Sequence, residues 1–369
     1  MSRLAPARAS RATHRRNGGI VALAAAVTLA LAGCSGTAED SSSPSGGSGP
    51  APTSVDLVVH DSFVISDAAK AAFEKESGLT LNIVTSGDGG QLANQLVLTK
   101  DAPLGDAFFG VDSSYATRVV QAGVVEPYKS AALPADAERL AVDGQGSLTP
   151  IDRGDVCLNV DSAWFDKHGL TPPASYEDLL KPEYKDLSVV LDPTASSPGT
   201  VFLLGTIAHF GEDGYLDYWK GLVANGAKID SGWSDAYYSD YTGGSEDGTR
   251  PIVVSYNTSP AETLTKDGTA TTTAAVLSTC TEQVEYAGVL AGAKNPEGAR
   301  KIIDFLLGDQ FQSEIPGGMY MYPVLGSAAV PDAWTSFAPL PTTTNDVPPA
   351  DVAENRDRWL SDWSDAVGQ

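Results

Sequence analysis

The fold is decided by residues 56–86, DLVVHDSFVISDAAKAAFEKESGLTLNIVTS. The stretch begins and ends with short runs rich in Val, Ile and Leu, DLVVH and LTLNIVTS, which are typical of buried strands. Between them, Ser66 is a suitable N-cap, Asp67 places a negative charge in the first helical turn, and Gly78 suits the C-terminal end of a helix. Strand, helix and strand in this order predict a βαβ unit with two parallel strands.

The same alternation continues to the C-terminus. Further strands are predicted at residues 106–112, 155–160, 187–193 and 251–256, and further helices at residues 89–100, 295–308 and 351–367. Because strands separated by helices form α/β sheets, we expect two α/β lobes with a ligand site at the carboxyl ends of the strands. We place lobe 1 at residues 55–150 and 285–369, including the C-terminal helix, and lobe 2 at residues 151–284.

The N-terminus has the features of an export signal. Five arginines precede the apolar run IVALAAAVTLALAG, and residues 31–34, Leu-Ala-Gly-Cys, resemble a bacterial lipobox. We therefore interpret residues 1–33 as a signal peptide and predict that Cys34 is lipidated; the alternative is an ordinary signal with a cysteine there by chance. The rest of residues 34–54 is rich in Ser, Gly and Pro and should form a flexible tether. The predicted location is extracytoplasmic, with a lipid anchor in the cell membrane.

The chain is strongly acidic, with 24 Lys and Arg against 47 Asp and Glu in 369 residues and a net charge of −23. Loss of residues 1–33, which carry five Arg and no acidic residue, changes the net charge to −28. Such a charge argues against nucleic acid and anionic lipid as partners and favours a cationic ligand, although acidic surfaces also reflect habitat.

Two cysteines remain after Cys34, namely Cys157 and Cys280, and no C-x-x-C motif occurs. In an oxidising compartment, a single pair far apart in sequence predicts one disulfide, and the alternative is two buried thiols. A zinc or redox role is not indicated, and we expect no metal site and no cofactor.

Polar residues follow two predicted strands at the points where helices begin. These are residues 196–199, SSPG, and residues 257–260, NTSP. Helix N-termini present unpaired N–H groups that attract anions, although N-capping alone explains either junction. Together with the glycine-rich loop at residues 86–90, SGDGG, they predict a site for a phosphate or a hydroxyl group.

Aromatic and acidic residues are mixed in residues 230–241, DSGWSDAYYSDY. Trp233 stands between short polar residues in a segment without apolar periodicity. The face of an exposed Trp attracts a cation by roughly 0.5–2 kcal/mol, and neighbouring carboxylates increase the attraction. We therefore predict that Trp233 forms one wall of a cation site; the alternative is that it fills the core of its lobe.

From about residue 55 onward the chain resembles the substrate-binding proteins of ABC importers, and among them the thiamine-binding members. The segments that carry the resemblance are VVHDSF, GDGGQLANQL, GDAFFGVDSS, LDPTASSPG, DSGWSDAYY, VVSYNTSPA, KNPEGARKIIDFLL, IPGGMYMYPV and RDRWLSDW. The resemblance implies a two-lobed type II periplasmic-binding-protein fold, with mixed sheets flanked by helices and two interlobe crossovers, that closes on its ligand. It also implies a monomer that captures thiamine or a thiamine phosphate and delivers it to a membrane permease with its ATPase.

The resemblance further implies a set of ligand-binding residues. They are Asp88, Gly89, Ser196, Ser197, Trp233, Tyr256, Asn257, Thr258 and Ser259, with Asp61, Tyr237 and Tyr320 as additional members. Two positions depart from the relatives, because Tyr320 replaces a Trp and His60 replaces a Tyr. Since a protonated His would oppose a cation, His60 predicts that ligand affinity falls below about pH 6.

Three other functions fit parts of the sequence. Ferric iron, which related binding proteins hold through a tyrosine pair, would use Tyr237 and Tyr238. A polyamine would also suit an acidic, aromatic cleft. A secreted lipoprotein enzyme ranks lowest, because His60, His168 and His209 have no zinc-type spacing and neither H-E-x-x-H nor G-x-S-x-G occurs.

Overall fold

The computed structural model describes residues 52–368. Its strands are β1 (Ser54–Val59), β2 (Thr80–Thr85), β3 (Ala107–Asp112), β4 (Val125–Glu126), β5 (Thr149–Asp161), β6 (Ser188–Leu191), β7 (Lys228–Asp230), β8 (Ile252–Tyr256), β9 (Thr273–Leu290) and β10 (Tyr322–Pro323). Its helices are α1 (Asp67–Ser77), α2 (Gly89–Leu98), α3 (Ala116–Gln121), α4 (Ser162–His168), α5 (Ser197–Phe210), α6 (Tyr215–Ala224), α7 (Trp233–Asp235), α8 (Pro296–Leu306), α9 (Asp309–Met319), α10 (Asp332–Phe337) and α11 (Pro349–Val367). The predicted signal peptide, the lipidation site Cys34 and most of the tether lie outside the described residues. No helix within residues 52–368 has the length and apolar character needed to cross a bilayer.

The strands form one mixed sheet of ten strands. Its main path runs β2-β1-β3-β9-β5-β8-β6-β7, with β4 beside β9 and β10 beside β5. The predicted βαβ unit is confirmed, because β1 and β2 pair in parallel on either side of α1. The hydroxyl of Ser66 accepts a hydrogen bond from the N–H of Ala69 at 3.0 Å, and Gly78 ends α1 with a φ of 72°, a conformation that glycine adopts without strain.

Two separate hydrophobic cores lie along this sheet, and two long strands run through both. β5 has 13 residues and contributes Ile151 to the first core and Leu158 to the second. β9 has 18 residues and contributes Val276 to the second core and Val289 to the first. We refer to the parts around the first and second cores as lobe 1 and lobe 2. β5 and β9 are the two crossovers between them, which confirms the predicted two-lobed α/β fold.

A disulfide between Cys157 in β5 and Cys280 in β9 joins the two crossover strands. The pairing expected from the cysteine count is therefore confirmed, and both residues are fully buried. The bond lies where the register between the strands shifts, between the residue pairs Val156–Thr281 and Leu158–Val276. It links positions 123 residues apart, so the two connections between the lobes are tied to each other at one point.

The C-terminal helix α11 packs on the second core, which corrects the expectation that it belongs to lobe 1. Trp363 is fully buried, and its ring centroid lies 5.5 Å from that of Trp219 in α6, in an edge-to-face arrangement. Val352 and Trp359 join the same core. The apolar stripe of α11 could cover either core, and it packs on the side of Trp219 that Phe202 of α5, at a centroid distance of 5.8 Å, leaves open.

Candidate functional site

A cleft lies between the two lobes, at the carboxyl ends of β1 and β8. Its lining residues are His60, Asp61, Ser62, Asp88, Gly89, Ser197, Pro198, Trp233, Tyr256, Glu285, Met319 and Met321. No Lys or Arg occurs among them. The cavity volume is about 40 Å³, whereas small-molecule sites usually enclose roughly 300–1,000 Å³. The lobes must therefore part, or their side chains rearrange, to admit a small-molecule ligand.

Asp88 connects the two lobes across this cleft. It precedes α2 in lobe 1, and its carboxylate accepts three hydrogen bonds from lobe 2. The donors are the backbone N–H of Ser197 at 2.7 Å, the hydroxyl of Ser196 at 3.0 Å and the backbone N–H of Trp233 at 3.0 Å. Burial raises the pKa of Asp88 to about 6, and the two backbone bonds act in the opposite direction. Asp88 is thus a closing contact between the lobes.

The N-terminus of α5 binds carboxylates of the protein itself at the position expected to hold a phosphate or a hydroxyl group. Asp88 accepts from the backbone there, and the hydroxyl of Ser197 donates to Asp112 Oδ2 at 2.6 Å. Gln283 Nε2 donates to the same Asp112 oxygen at 2.8 Å. A Cβ at Gly89 would lie 2.7 Å from the Cβ of Ser197, so glycine permits this close approach of the lobes.

Trp233 lies at the boundary between the cleft and the second core. It lines the cleft, its side chain is stacked on Tyr237 with ring centroids 4.9 Å apart, and only 7% of its surface is exposed. Its Nε1 donates to the hydroxyl of Ser255 at 3.0 Å, and that hydroxyl lies 2.8 Å from the hydroxyl of Ser259. One side of the ring packs in the core and another meets the cleft, and its role as a wall of a cation site stays a prediction. Ser259 is placed behind Trp233 and not in the lining.

Several other residues expected at the site lie away from the cleft lining. Asn257 and Thr258 are fully buried. The side-chain amide of Asn257 donates to the carbonyl of Pro339 at 3.3 Å, and the hydroxyl of Thr258 donates to the carbonyl of Tyr320. Tyr320 packs against the second core, with a φ of 60°. Its two chain neighbours, Met319 and Met321, line the cleft in its place.

His60 lies in the cleft as an uncharged imidazole. Its Nδ1 accepts a hydrogen bond from the backbone N–H of Ser62 at 3.1 Å, which places the ring proton on Nε2. Nε2 lies 3.5 Å from Glu285 Oε1. Burial lowers the pKa of His60 to about 4. The expectation that this residue becomes charged below about pH 6 is therefore wrong, because a buried imidazole loses the hydration that its cation needs.

Glu285 is the cleft residue that sequence reasoning missed most completely. It lies within β9, directly opposite Asp152 of β5 in the strand register. No turn, glycine or strand end marks either carboxyl in the sequence, so no local signal indicates a site. Met319 and Met321 could have been predicted from the sequence, because they flank Tyr320, which the family resemblance implies as a ligand-binding residue.

The sequence of the chain matches a known protein family. Residues 103–347 match the family described as bacterial extracellular solute-binding protein. The thiamine-binding periplasmic protein of Escherichia coli (strain K12) is 29% identical over 320 residues, which cover 85% of this chain and 93% of that protein. The thiamine-binding periplasmic protein of Brucella suis biovar 1 is 30% identical over 323 residues, which cover 85% of this chain and 92% of that protein.

A solved structure agrees with these sequence relatives. A periplasmic thiamin binding protein superimposes with a TM-score of 0.74 at 28% identity, covering 88% of this chain and 98% of that chain. These relatives are binding proteins and not enzymes. From its sequence match, its two lobes and the cleft between them, the chain belongs to the family of bacterial extracellular solute-binding proteins.

Proposed function

We propose that this protein captures thiamine, or one of its phosphate esters, in the cleft between its lobes and delivers it to the permease of an ABC importer. The observation that carries the proposal is the position of Trp233, whose ring meets a cleft lined by Asp61, Asp88 and Glu285 and by no Lys or Arg. The thiamine-binding relatives, similar over most of their length, support the same ligand.

The chemistry of thiamine suits these groups. Its thiazolium ring carries a permanent positive charge, which is attracted both to an aromatic face and to carboxylates. Trp233 and Tyr256 supply aromatic rings with centroids 6.2 Å apart at the cleft. The aminopyrimidine ring can stack and form hydrogen bonds, and the hydroxyethyl group can use the hydroxyl of Ser197.

Delivery to a permease fits a protein held at the membrane surface. We include in the proposal a lipid on Cys34 and action as a monomer, with the Ser/Gly/Pro-rich residues after Cys34 as the link between the lipid and the lobes.

Iron is less well supported as the ligand. Tyr237 is part of the second core, is stacked on Trp233 and does not line the cleft, so its phenol is poorly placed to bind ferric iron there. Within residues 52–368 no group of three or more His, Cys, Asp or Glu side chains is placed to hold a metal ion. A polyamine remains the second candidate, because the acidic lining of the cleft would attract any organic cation.

The proposal is tested by titrating purified protein with thiamine while Trp fluorescence is recorded. We expect quenching with a Kd in the micromolar range or tighter, because Trp233 lies at the ligand. Parallel titrations with thiamine monophosphate, spermidine and ferric citrate rank the alternatives, and visible absorbance would reveal tyrosinate-bound iron. Tight binding of spermidine or iron without binding of thiamine would refute the proposal.

Thiamine affinity should fall as the pH is lowered from 8 to 5, because Asp88 and not His60 becomes protonated. The pKa of Asp88 is raised to about 6, so this carboxylate gains a proton in that range and no longer attracts a cation. The imidazole of His60, with a pKa of about 4, stays neutral throughout. We expect His60→Asn, which keeps an acceptor near the N–H of Ser62, to show the same slope of log Kd against pH. A flat profile in this variant would assign the pH dependence to His60 after all.

A further inference from the structure

Two buried carboxyl groups lie opposite each other beside the cleft. Asp152 in β5 and Glu285 in β9 occupy directly opposed positions in the antiparallel register, where side chains lie about 4.5–5.5 Å apart at Cβ. Asp152 is fully buried and Glu285 is 6% exposed. Glu285 lines the cleft, so the pair is open to a ligand on the side of β9.

Within residues 52–368, no Lys or Arg side chain neutralises this pair. Arg153 follows Asp152 in β5, but strand alternation directs it to the opposite face, where its guanidinium lies 3.8 Å from Glu282. The remaining groups facing Glu285 are acidic or neutral: His60 from the end of β1, Asp88 before α2, Asp112 in β3 and Tyr256 in β8. Unlike the pair, Asp88 and Asp112 each accept several hydrogen bonds.

Two carboxylates so close together and so deeply buried cannot both be ionised without a cation. Burial and the neighbouring carboxylate raise the pKa of Glu285 well above its usual value, and burial raises the pKa of Asp152 to about 8. At neutral pH the pair therefore holds at least one proton. Within the described residues, both oxygens of Asp152 lack a hydrogen-bond donor if Glu285 is ionised, and a proton on Glu285 supplies one.

His60 completes the arrangement. Among residues 52–368, its buried Nε2–H makes no hydrogen bond, and Glu285 Oε1, at 3.5 Å, is positioned to accept one after a small movement. An ionised Glu285 would accept this hydrogen bond. The same hydrogen bond stabilises a protonated Glu285 less, because a neutral carboxyl is a weaker acceptor than a carboxylate. The cleft thus contains an unused donor that favours the charged form of the pair once a positive ligand is present.

We propose that the Asp152–Glu285 pair is the counter-charge site for the positively charged heteroaromatic nitrogen of the ligand, and that ligand binding expels a proton from the pair to solvent. The inference rests on the proposed function and extends it. The lost proton adds one negative charge to the pair, beside the fixed positive charge of the thiazolium. No covalent bond forms or breaks apart from the loss of that proton.

Calorimetric titration with thiamine at pH 7, in two buffers with different ionisation enthalpies, measures the proton release. We expect at least about one proton per thiamine from the wild type. Glu285→Gln should release fewer protons than the wild type, because a neutral amide replaces the carboxyl that lines the cleft, and its affinity should fall at least about tenfold. Glu282→Gln is the matched control, because it changes the same chemical group on the same strand but on the side facing Arg153. It should behave as the wild type.

A second variant and an uncharged ligand test the same proton release independently of Glu285→Gln. Asp152→Asn should also lower the proton release, and it serves if Glu285→Gln does not fold. A neutral analogue, 3-deazathiamine, should bind the wild type without releasing a proton. Thiamine binding with no proton release, or with undiminished release in both variants, would overturn the counter-charge site and leave the proposed function intact. A wild type that does not bind thiamine would reject the proposed function itself.

Discussion

Replacement of Cys157 and Cys280 by alanine is expected to lower the free energy of unfolding by about 2–5 kcal/mol. The disulfide joins residues 123 positions apart, and a crosslink across roughly 100 residues restricts the unfolded chain by about 4.7 kcal/mol in the chain-entropy description. Denaturant unfolding followed by circular dichroism measures the change. The cysteines also fill space in a buried region, so part of the loss can come from packing.

Reduction of the wild-type protein separates the two contributions. Treatment with a phosphine reductant breaks the crosslink but leaves both sulfur atoms in place, so it should reproduce most of the loss seen in the double variant. If reduced and oxidised wild type unfold at the same denaturant concentration, the crosslink contributes no stability and the expectation is wrong.

Trp233→Ala is expected to weaken thiamine binding at least about tenfold, which corresponds to ~1.4 kcal/mol. The variant removes an aromatic face from the cleft and also the donor to Ser255. Trp233→Phe keeps an aromatic face without the donor, so it should bind with intermediate affinity. Calorimetry is the suitable measurement, because both variants lose the fluorescence of this residue.

Trp164→Ala provides the matched control for Trp233→Ala. Trp164 lies in α4, stacked on His168 with ring centroids 3.9 Å apart, and does not line the cleft. Its removal should leave the Kd for thiamine unchanged. Equal affinities of the wild type and Trp233→Ala would show that the indole serves only the second core.

The sequence predicted those features that depend on neighbours along the chain. Ser66 and Gly78 mark the ends of α1 because capping needs only adjacent backbone groups. Two strand-end loops, residues 86–90 and 196–199, contribute to the cleft lining because strands bring their carboxyl ends to one edge, whereas residues 257–259 lie behind that lining. The disulfide followed from counting, since two cysteines in an oxidising compartment leave one pairing.

The features that the sequence did not predict depend on residues that are distant in sequence but close in the fold. The donors to Asp88 come from residues more than 100 positions away, so its role as a contact between lobes has no local signature. Glu285 and Asp152 acquire their properties only from the register of β5 against β9. The C-terminal helix was assigned to lobe 1 by its position in the sequence, whereas Trp219 on α6 decides where it packs.

The disulfide gives the chain the topology of a ring with two tails. Residues 157–280 form a closed loop whose ends meet on adjacent strands, and both tails start from that junction. A protease that cuts once anywhere inside the loop therefore leaves a single covalent molecule, with every residue of both lobes still attached. For a protein exposed outside the cytoplasm, one nick in lobe 2 would then be survivable as long as the surroundings stay oxidising.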